Sequence, residues 1–483
     1  MNQNINDVLI AYFQTGGAIP SYLNGIISMN KKFQSKNITY ETFVTLLQDF
    51  FQTRTDIRRV HLSQQVSKII LDLFDLDEFV EIRQKIAELE LLRIIKYENQ
   101  RDHTVHTVYL FLLGLWLFEN VPYIQANFKK WYSSEGNSFE MTSNILETSE
   151  NDYNKEEAKQ NYLIHRFIFQ WIYASLIHDI GYVFADLTED SKDYKKFMIY
   201  EIFSYEWLEK YLLRYFVSFQ PNSSEKKTIK KAHSKFRKHY EKLFDSKNLM
   251  NNPTHILKRI STVPWLNELL PENRKFSENI FELFDEESMS QTKLESFAFD
   301  VAQNGYQSSG EPNVDHAISS GLLMFQYSSY WYYLMDQIKK LDVKLFEKIK
   351  EEYSYEKENL YEDILPACRA TSYHNIDPSQ KIYHLSKFDI NKNPLVFLSV
   401  LCDELSQWER FAVGKNTIIN INENAANSLD STDIQIKINL NEYLYRVAEF
   451  EILNKTFDIK KMEKTLDKKL KNWKRIVKIN KKI

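Results

Sequence analysis

Apolar residues recur every three or four positions along most of this chain, the period of a helix with one face turned to a core. The pattern is plain in FVTLLQDFF at 43–51, in VSKIILDLFDLDEFVEI at 66–82 and in SGLLMFQYSSYWYYLM at 320–335, and it predicts a mainly α protein. Two stretches, VYLFLLGLWLF at 108–118 and FIFQWIYASLI at 167–177, are apolar almost throughout and predict buried helices. Between them, 133–160 is polar and acidic, which reads as a surface loop or lid. Past residue 412 the period changes to two. TIININ at 417–422 and DIQIKINL at 433–440 predict a β-hairpin, followed by a last helix running into KKMEKTLDKKLKNWKRIVKINKKI.

Composition narrows the function classes. With 483 residues the chain can bury a sizeable core, and a net charge of -4 with 27% charged residues argues against a global nucleic-acid-binding surface. Basic surface is therefore local. Residues 225–242 carry eight Lys/Arg against two Glu, and from 454 onward there are twelve against three acids. Both read first as solvated helix faces, the alternative being a phosphate-binding strip or an acidic-partner site. Two cysteines, Cys368 and Cys402, exclude a disulfide framework and predict a reducing, cytoplasmic setting. The N-terminus lacks the basic start and apolar core of a signal peptide, and the run at 108–118 is too short to span a bilayer, so no membrane association is expected.

Against this background the polar residues inside apolar helices stand out. LIHDIGY at 176–182 sets His178 and Asp179 side by side at the end of an apolar run. An ionisable group there is costly unless something neutralises or coordinates it. The same situation recurs in RDHTVHTVYLF with His103 and His106, in NVDHAISSG with Asp315 and His316, in CRATSYHNI with His374, and in LSVLCDELSQWER with Asp403. Singly, each has an ordinary role, and Asp315 reads as a helix start. Together they supply imidazole and carboxylate, the ligand mixture that suits zinc, manganese, iron or nickel, with Asp179 able to bridge two ions. Glycine is scarce, ten in all, so Gly181 directly after the pair is expected to let the chain turn there.

The ordered motifs HTVYLFLLGLWL, LIHDIGY and LSVLCDELSQWER resemble those of the HD superfamily of metal-dependent phosphohydrolases, over roughly residues 96–412. The resemblance implies an HD-domain helical bundle at 96–412, carrying 133–160 and 225–242 as insertions. An N-terminal helical accessory region (1–95) and a C-terminal β-hairpin with a basic helix (413–483) would flank it. It implies His106, His178, Asp179 and Asp403 as metal ligands, with His103 the alternative to His106. His316 and His374 would hold a second ion, as in HD-GYP phosphodiesterases and CRISPR HD nuclease domains. The cofactor would be one or two divalent ions (Mn, Fe, Ni, Co, Zn or Mg). Arg369, Arg410 and Tyr182 are the candidate phosphate contacts, Tyr182 standing where relatives often keep a lysine, with Arg101 and Lys381 as weaker ones.

The activity implied is hydrolysis of a nucleotide phosphate ester or anhydride by metal-activated water, with His178 and Asp179 at its centre. The substrate would be a dNTP or NTP, or a cyclic or linear oligonucleotide. The alternatives are a nuclease acting on single-stranded DNA or RNA, and a catalytically idle nucleotide sensor or scaffold. Partners through the terminal segments, self-association included, and a role in nucleotide signalling or antiviral defence rest on the likeness alone.

Overall fold

The computed structural model describes residues 4–53, 55–96, 103–134, 152–183, 221–243, 260–269, 315–352, 359–379, 385–406, 429–441 and 444–482, with single positions at Leu257, Ile280 and Trp408. The fold is mainly helical with a small three-stranded sheet near the C-terminus. In chain order the helices are α1 (Ile5–Thr15), α2 (Ala18–Met29), α3 (Lys31–Ser35), α4 (Tyr40–Gln52), α5 (Asp56–Leu73), α6 (Asp77–Lys96), α7 (Thr104–Asn120), α8 (Pro122–Ser134) and α9 (Asp152–Ala174). They continue as α10 (Ser223–Leu243), α11 (Leu266–Leu269), α12 (His316–Leu341), α13 (Val343–Glu352), α14 (Leu365–Tyr373), α15 (Pro394–Leu405) and α16 (Ile459–Lys469). The strands are β1 (Ile434–Leu440), β2 (Arg446–Ile452) and β3 (Val477–Lys481). Two compact units divide the chain. One comprises Met1–His178, His374–Ser379 and Ser386–Ile483, the other Asp179–Tyr373 and Gln380–Leu385.

In the first unit α7 is the central element. Every residue from Thr104 to Phe118 is buried, because α1, α2, α5, α6, α8, α9, α15 and β2 pack around it. This is why its sequence shows no polar stripe. Gly114 lets α9 come close: a Cβ there would stand 2.1 Å from the Trp171 ring, whose Nε1 donates to the Phe111 carbonyl at 2.9 Å. At the far end of α7, the Glu119 carboxylate accepts from the backbone N–H groups of Ala18 and Ile19 at the start of α2, and from the Tyr12 hydroxyl. Burial first, and the Glu119 charge second, push the Tyr12 phenol well up. The apolar run 66–82 is not one helix: the chain breaks between α5 and α6, where Asp75 takes φ 53°.

The second unit is organised on α12, buried over most of its 26 residues and packed by α10, α11, α13, α14 and a 3-10 turn at Ile180–Val183. Asp315 caps α12 by accepting from the Ile318 N–H at 2.9 Å, as its sequence context suggests. Gly321 brings α14 close, since a Cβ would lie 2.4 Å from the Cys368 carbonyl.

Several sequence expectations are corrected. The polar stretch 133–160 is not loop throughout: it begins in the last turn of α8 and is helical again from Asp152, where α9 starts, while 135–151 lie outside the described residues. The hairpin exists, but β1 pairs antiparallel with β2 in the register Ile434↔Ile452 to Leu440↔Arg446. TIININ at 417–422 falls outside the described residues. Nor does the basic end stay helical: α16 stops at Lys469, and β3 pairs parallel with β2, Ala448 opposite Val477. Alternation in VKINK, with Val477 and Ile479 buried, gives this segment a strand face that the lysine-rich composition obscures. Among the described residues no single helix is long and apolar enough to cross a membrane.

The C-terminal segment is joined to earlier chain by carboxylates whose protonation is measurable. Although burial alone would raise the Asp389 pKa, the Lys471 ammonium at 2.9 Å and the Asn391 N–H groups hold it below the usual carboxylate range. Burial likewise opposes, and the Ser379 hydroxyl and N–H with Lys468 and Lys469 overcome, in lowering Asp377. A carboxylate with a lowered folded pKa contributes stability above its unfolded pKa of about 3.9 and loses it as pH falls through the folded value. The Asp389→Asn protein should therefore melt below the parent at pH 6, with the difference shrinking below about pH 4. A constant difference from pH 6 to pH 2 would contradict this role.

Candidate metal centre

The candidate ligands fall in both units. In the first unit, His106 lies in the first turn of α7, where burial is already complete. Its Nε2 is 2.8 Å from Oδ1 of Asp403, near the end of α15, and its Nδ1 is 3.3 Å from the Ser406 hydroxyl. Nε2–H donates to the carboxylate, and the Ser406 hydroxyl, which donates to the Asp403 carbonyl at 3.3 Å, lies beside Nδ1. Helix α15 is located by Ser399, which donates to the Ala174 carbonyl at the end of α9. Four residues on, after the chain leaves α9, the His178 ring stands with its centroid 5.9 Å from that of His106 and 4.7 Å from that of His374. His178 Nδ1 is 2.5 Å from the Ser175 carbonyl, so Nδ1 carries the proton and Nε2 presents its lone pair. Three imidazoles and a carboxylate, drawn from positions as much as 297 residues apart, thus stand together in one unit.

In the second unit, Asp179 is buried with Oδ1 3.7 Å from Nε2 of His316, the first residue of α12. The Tyr182 ring stacks on the His316 imidazole, centroids 4.0 Å apart and planes 16° from parallel, which fixes the plane of that ring. Gly181 has its explanation here. Its φ is not positive; instead, a Cβ would stand 2.1 Å from the His316 carbonyl, and the Gly181 N–H donates to the Ser320 hydroxyl at 2.7 Å. The chain turns at Gly181 as the sequence predicts, and close approach of this 3-10 turn to α12 is what requires a glycine there.

His178 and Asp179 are consecutive in the chain. His106, His178 and Asp179 form one buried His/Asp group able to hold a metal ion, and Asp179, His316 and His374 form another. The donor set fits a cation chemically. Neutral imidazoles with a fixed tautomer and carboxylates are ligands for borderline divalent metals, and the His178–Ser175 contact is the backbone support such ligands use. The cysteines are not candidates: burial pushes the Cys368 thiol up, and burial and then the Asp403 charge push Cys402 up. Uptake at His106 would displace the proton between Nε2 and Asp403.

Of the other residues singled out from sequence, His103 sits at the N-cap position of α7, half-buried and in neither group. Arg369 lies on α14 and is half-buried. Arg101, Lys381 and Arg410 lie outside the described residues. Of the basic helix α10, Lys226, Lys227, Lys230 and Lys231 are exposed.

Sequence reading missed two residues that brace the candidate ligands. Arg83 on α6 is buried, and its guanidinium donates to the Thr104 carbonyl at 3.1 Å, to the Thr107 hydroxyl at 2.8 Å and to the Leu176 carbonyl. Those contacts flank His106 and precede His178 by two residues. Helical spacing would have flagged it, since Phe79, Ile86 and Ala87 on the same face are buried. Lys469 on α16 is the other, in register with buried Met462 and Leu466. Compared with protein-family models, with curated proteins and with solved structures, the chain shows no significant match.

Proposed function

We propose that this protein is a metal-dependent phosphohydrolase acting on a phosphate ester or anhydride of a nucleotide. The observation that supports it most is the convergence of His106, His178, His374 and Asp403 in one unit, with Asp179 joined to His178 by a single bond. The order His106, His178–Asp179, Asp403 also resembles the HD superfamily, which is where the reaction class comes from. A divalent cation bound there supplies Lewis acidity, making water a better nucleophile and offsetting charge on phosphate oxygens. The residues contribute orientation: Ser175 holds the His178 tautomer, Ser406 and Asp403 hold His106, and Tyr182 holds the His316 plane. Asp179, common to both groups, is the proposed bridge where two ions are bound.

Protein stripped by a chelator and dialysed into Mn, Co, Ni or Zn should take up one or two ions per chain and unfold at a higher temperature. At about 100 times the dissociation constant the gain is about 2.7 kcal/mol, reversed by chelation. Two ions assign His316 and His374 to the second; one leaves them to substrate or support. The loaded protein, given dNTPs, NTPs, cyclic dinucleotides and single-stranded DNA or RNA, should release product from a nucleotide. Absence of metal uptake in every case would end the proposal.

A second reading, a nuclease, is favoured by the exposed lysines of α10. It predicts binding that weakens steeply with salt, unlike a nucleotide in a pocket. The basic C-terminus supports it less, because Lys468, Lys469, Lys471, Lys474 and Lys482 are engaged by Asp377, Glu404, Asp389, Asp467 and Glu451 of the same unit.

A further inference from the structure

The lysine-rich end has another use than contact with solvent or a partner. Lys469, the last residue of α16, is 8% exposed, and its ammonium donates to the His374 carbonyl at 3.3 Å and to the Glu404 carboxylate at 2.9 Å. Glu404 is the neighbour of Asp403 on α15, against which α16 packs. One ammonium therefore touches the backbone of one candidate ligand and the residue beside another. The contacts on either side repeat the arrangement. Phe388 and Leu470 form a parallel bridge, with the Phe388 N–H donating to Lys469 O and the Lys471 N–H to Phe388 O, both at 2.9 Å. Lys468 is 3.7 Å from Asp377, three residues beyond His374, and Lys471 is 2.9 Å from Asp389, five before α15 begins.

Burying an ammonium is costly without partners, and here the partners are a backbone carbonyl and a carboxylate that would otherwise move independently. A solvated amphipathic helix would leave its lysines in water, and this one keeps one of them under cover.

We propose that Lys469 is a positioning residue for the metal centre, and that the segment from α16 to β3 is the latch that holds the His374 and Asp403 segments in register. This rests on the reading of His374 and Asp403 as ligands. Loss of residues supporting ligands from outside typically weakens metal binding 10–100-fold. The Lys469→Met protein, matched in length and without charge, should bind Mn²⁺ with a dissociation constant raised about tenfold or more. Lys469→Arg, which keeps charge and donors, should stay close to the parent.

Amide hydrogen exchange of the metal-free proteins decides the latch independently of metal. In Lys469→Met, exchange at 374–379 and 402–405 should quicken while α4 keeps the parental rate. Should the parent bind no metal, the metal reading fails, and exchange alone still upholds or overturns the latch. Parental exchange at both segments in Lys469→Met overturns it, as does equal loss in the Met and Arg variants. If Lys469→Met does not fold, Glu404→Gln removes the ion pair from the other side and is read the same way.

Discussion

Replacing Asp179 with alanine should abolish turnover and cut metal uptake, while the circular dichroism of the metal-free protein remains that of the parent. Asp179 is the one residue shared by both His/Asp groups, and its carboxylate is buried 3.7 Å from His316. Withdrawing it removes a candidate ligand from each group at once. Stabilisation by metal of the charge developing on a phosphate is worth several kcal/mol, and each 1.36 kcal/mol is tenfold in rate, so a loss of about a thousandfold or more is expected. The fold should survive, because the side chain fills little of the core and its removal leaves imidazoles that are stable when neutral. Asp179→Asn separates charge from shape: it retains an oxygen but not the bridging anion, and should bind one ion weakly. Parental turnover by purified Asp179→Ala, with contaminating phosphatases excluded, would defeat the proposal.

Arg83→Met should have the largest effect on stability, with metal affinity falling alongside. The guanidinium satisfies the Thr104 and Leu176 carbonyls and the Thr107 hydroxyl in the core of the first unit. Leaving a buried acceptor without its donor typically costs about 1–3 kcal/mol, because no water replaces the lost partner, and here three acceptors lose one at once. Since those groups lie two residues before His106, one after it and two before His178, both imidazoles should lose definition as well. Arg83→Lys should rescue only part, since a point-like ammonium cannot span three acceptors as the planar fork does. Urea unfolding and a Mn²⁺ titration measure the two effects. An Arg83→Met protein with parental midpoint and parental metal affinity would show that the contacts are incidental.

Much of this was legible in the residues themselves. The helices 40–52 and 316–341 follow the apolar spacing of FVTLLQDFF and SGLLMFQYSSYWYYLM, and the cap at Asp315 follows from its side chain. The candidate ligands were visible because ionisable groups inside apolar runs are anomalous wherever they occur. The hairpin was half-legible: DIQIKINL gave β1, but the arm expected to pair with it was TIININ, and the strand that does pair is RVAEFEI, β2. Its alternation is short and its partner is chosen by approach, not by local preference. Arg83 and Lys469 were overlooked because a single cation among apolar neighbours is weaker as a signal than a histidine next to an aspartate.

The sequence by itself determined the helical class, the start of the helix at Asp315, and the supply of imidazole and carboxylate inside apolar segments, since period and side-chain chemistry act over a few residues. Only the tertiary structure decided that His106 meets Asp403 across 297 residues, and that His103 does not join either group. It likewise gave Gly181 its purpose against α12 and turned a lysine of the basic end inward to His374 and Glu404. Those outcomes depend on which buried faces fit together, a property of distant segments jointly that no local stretch contains.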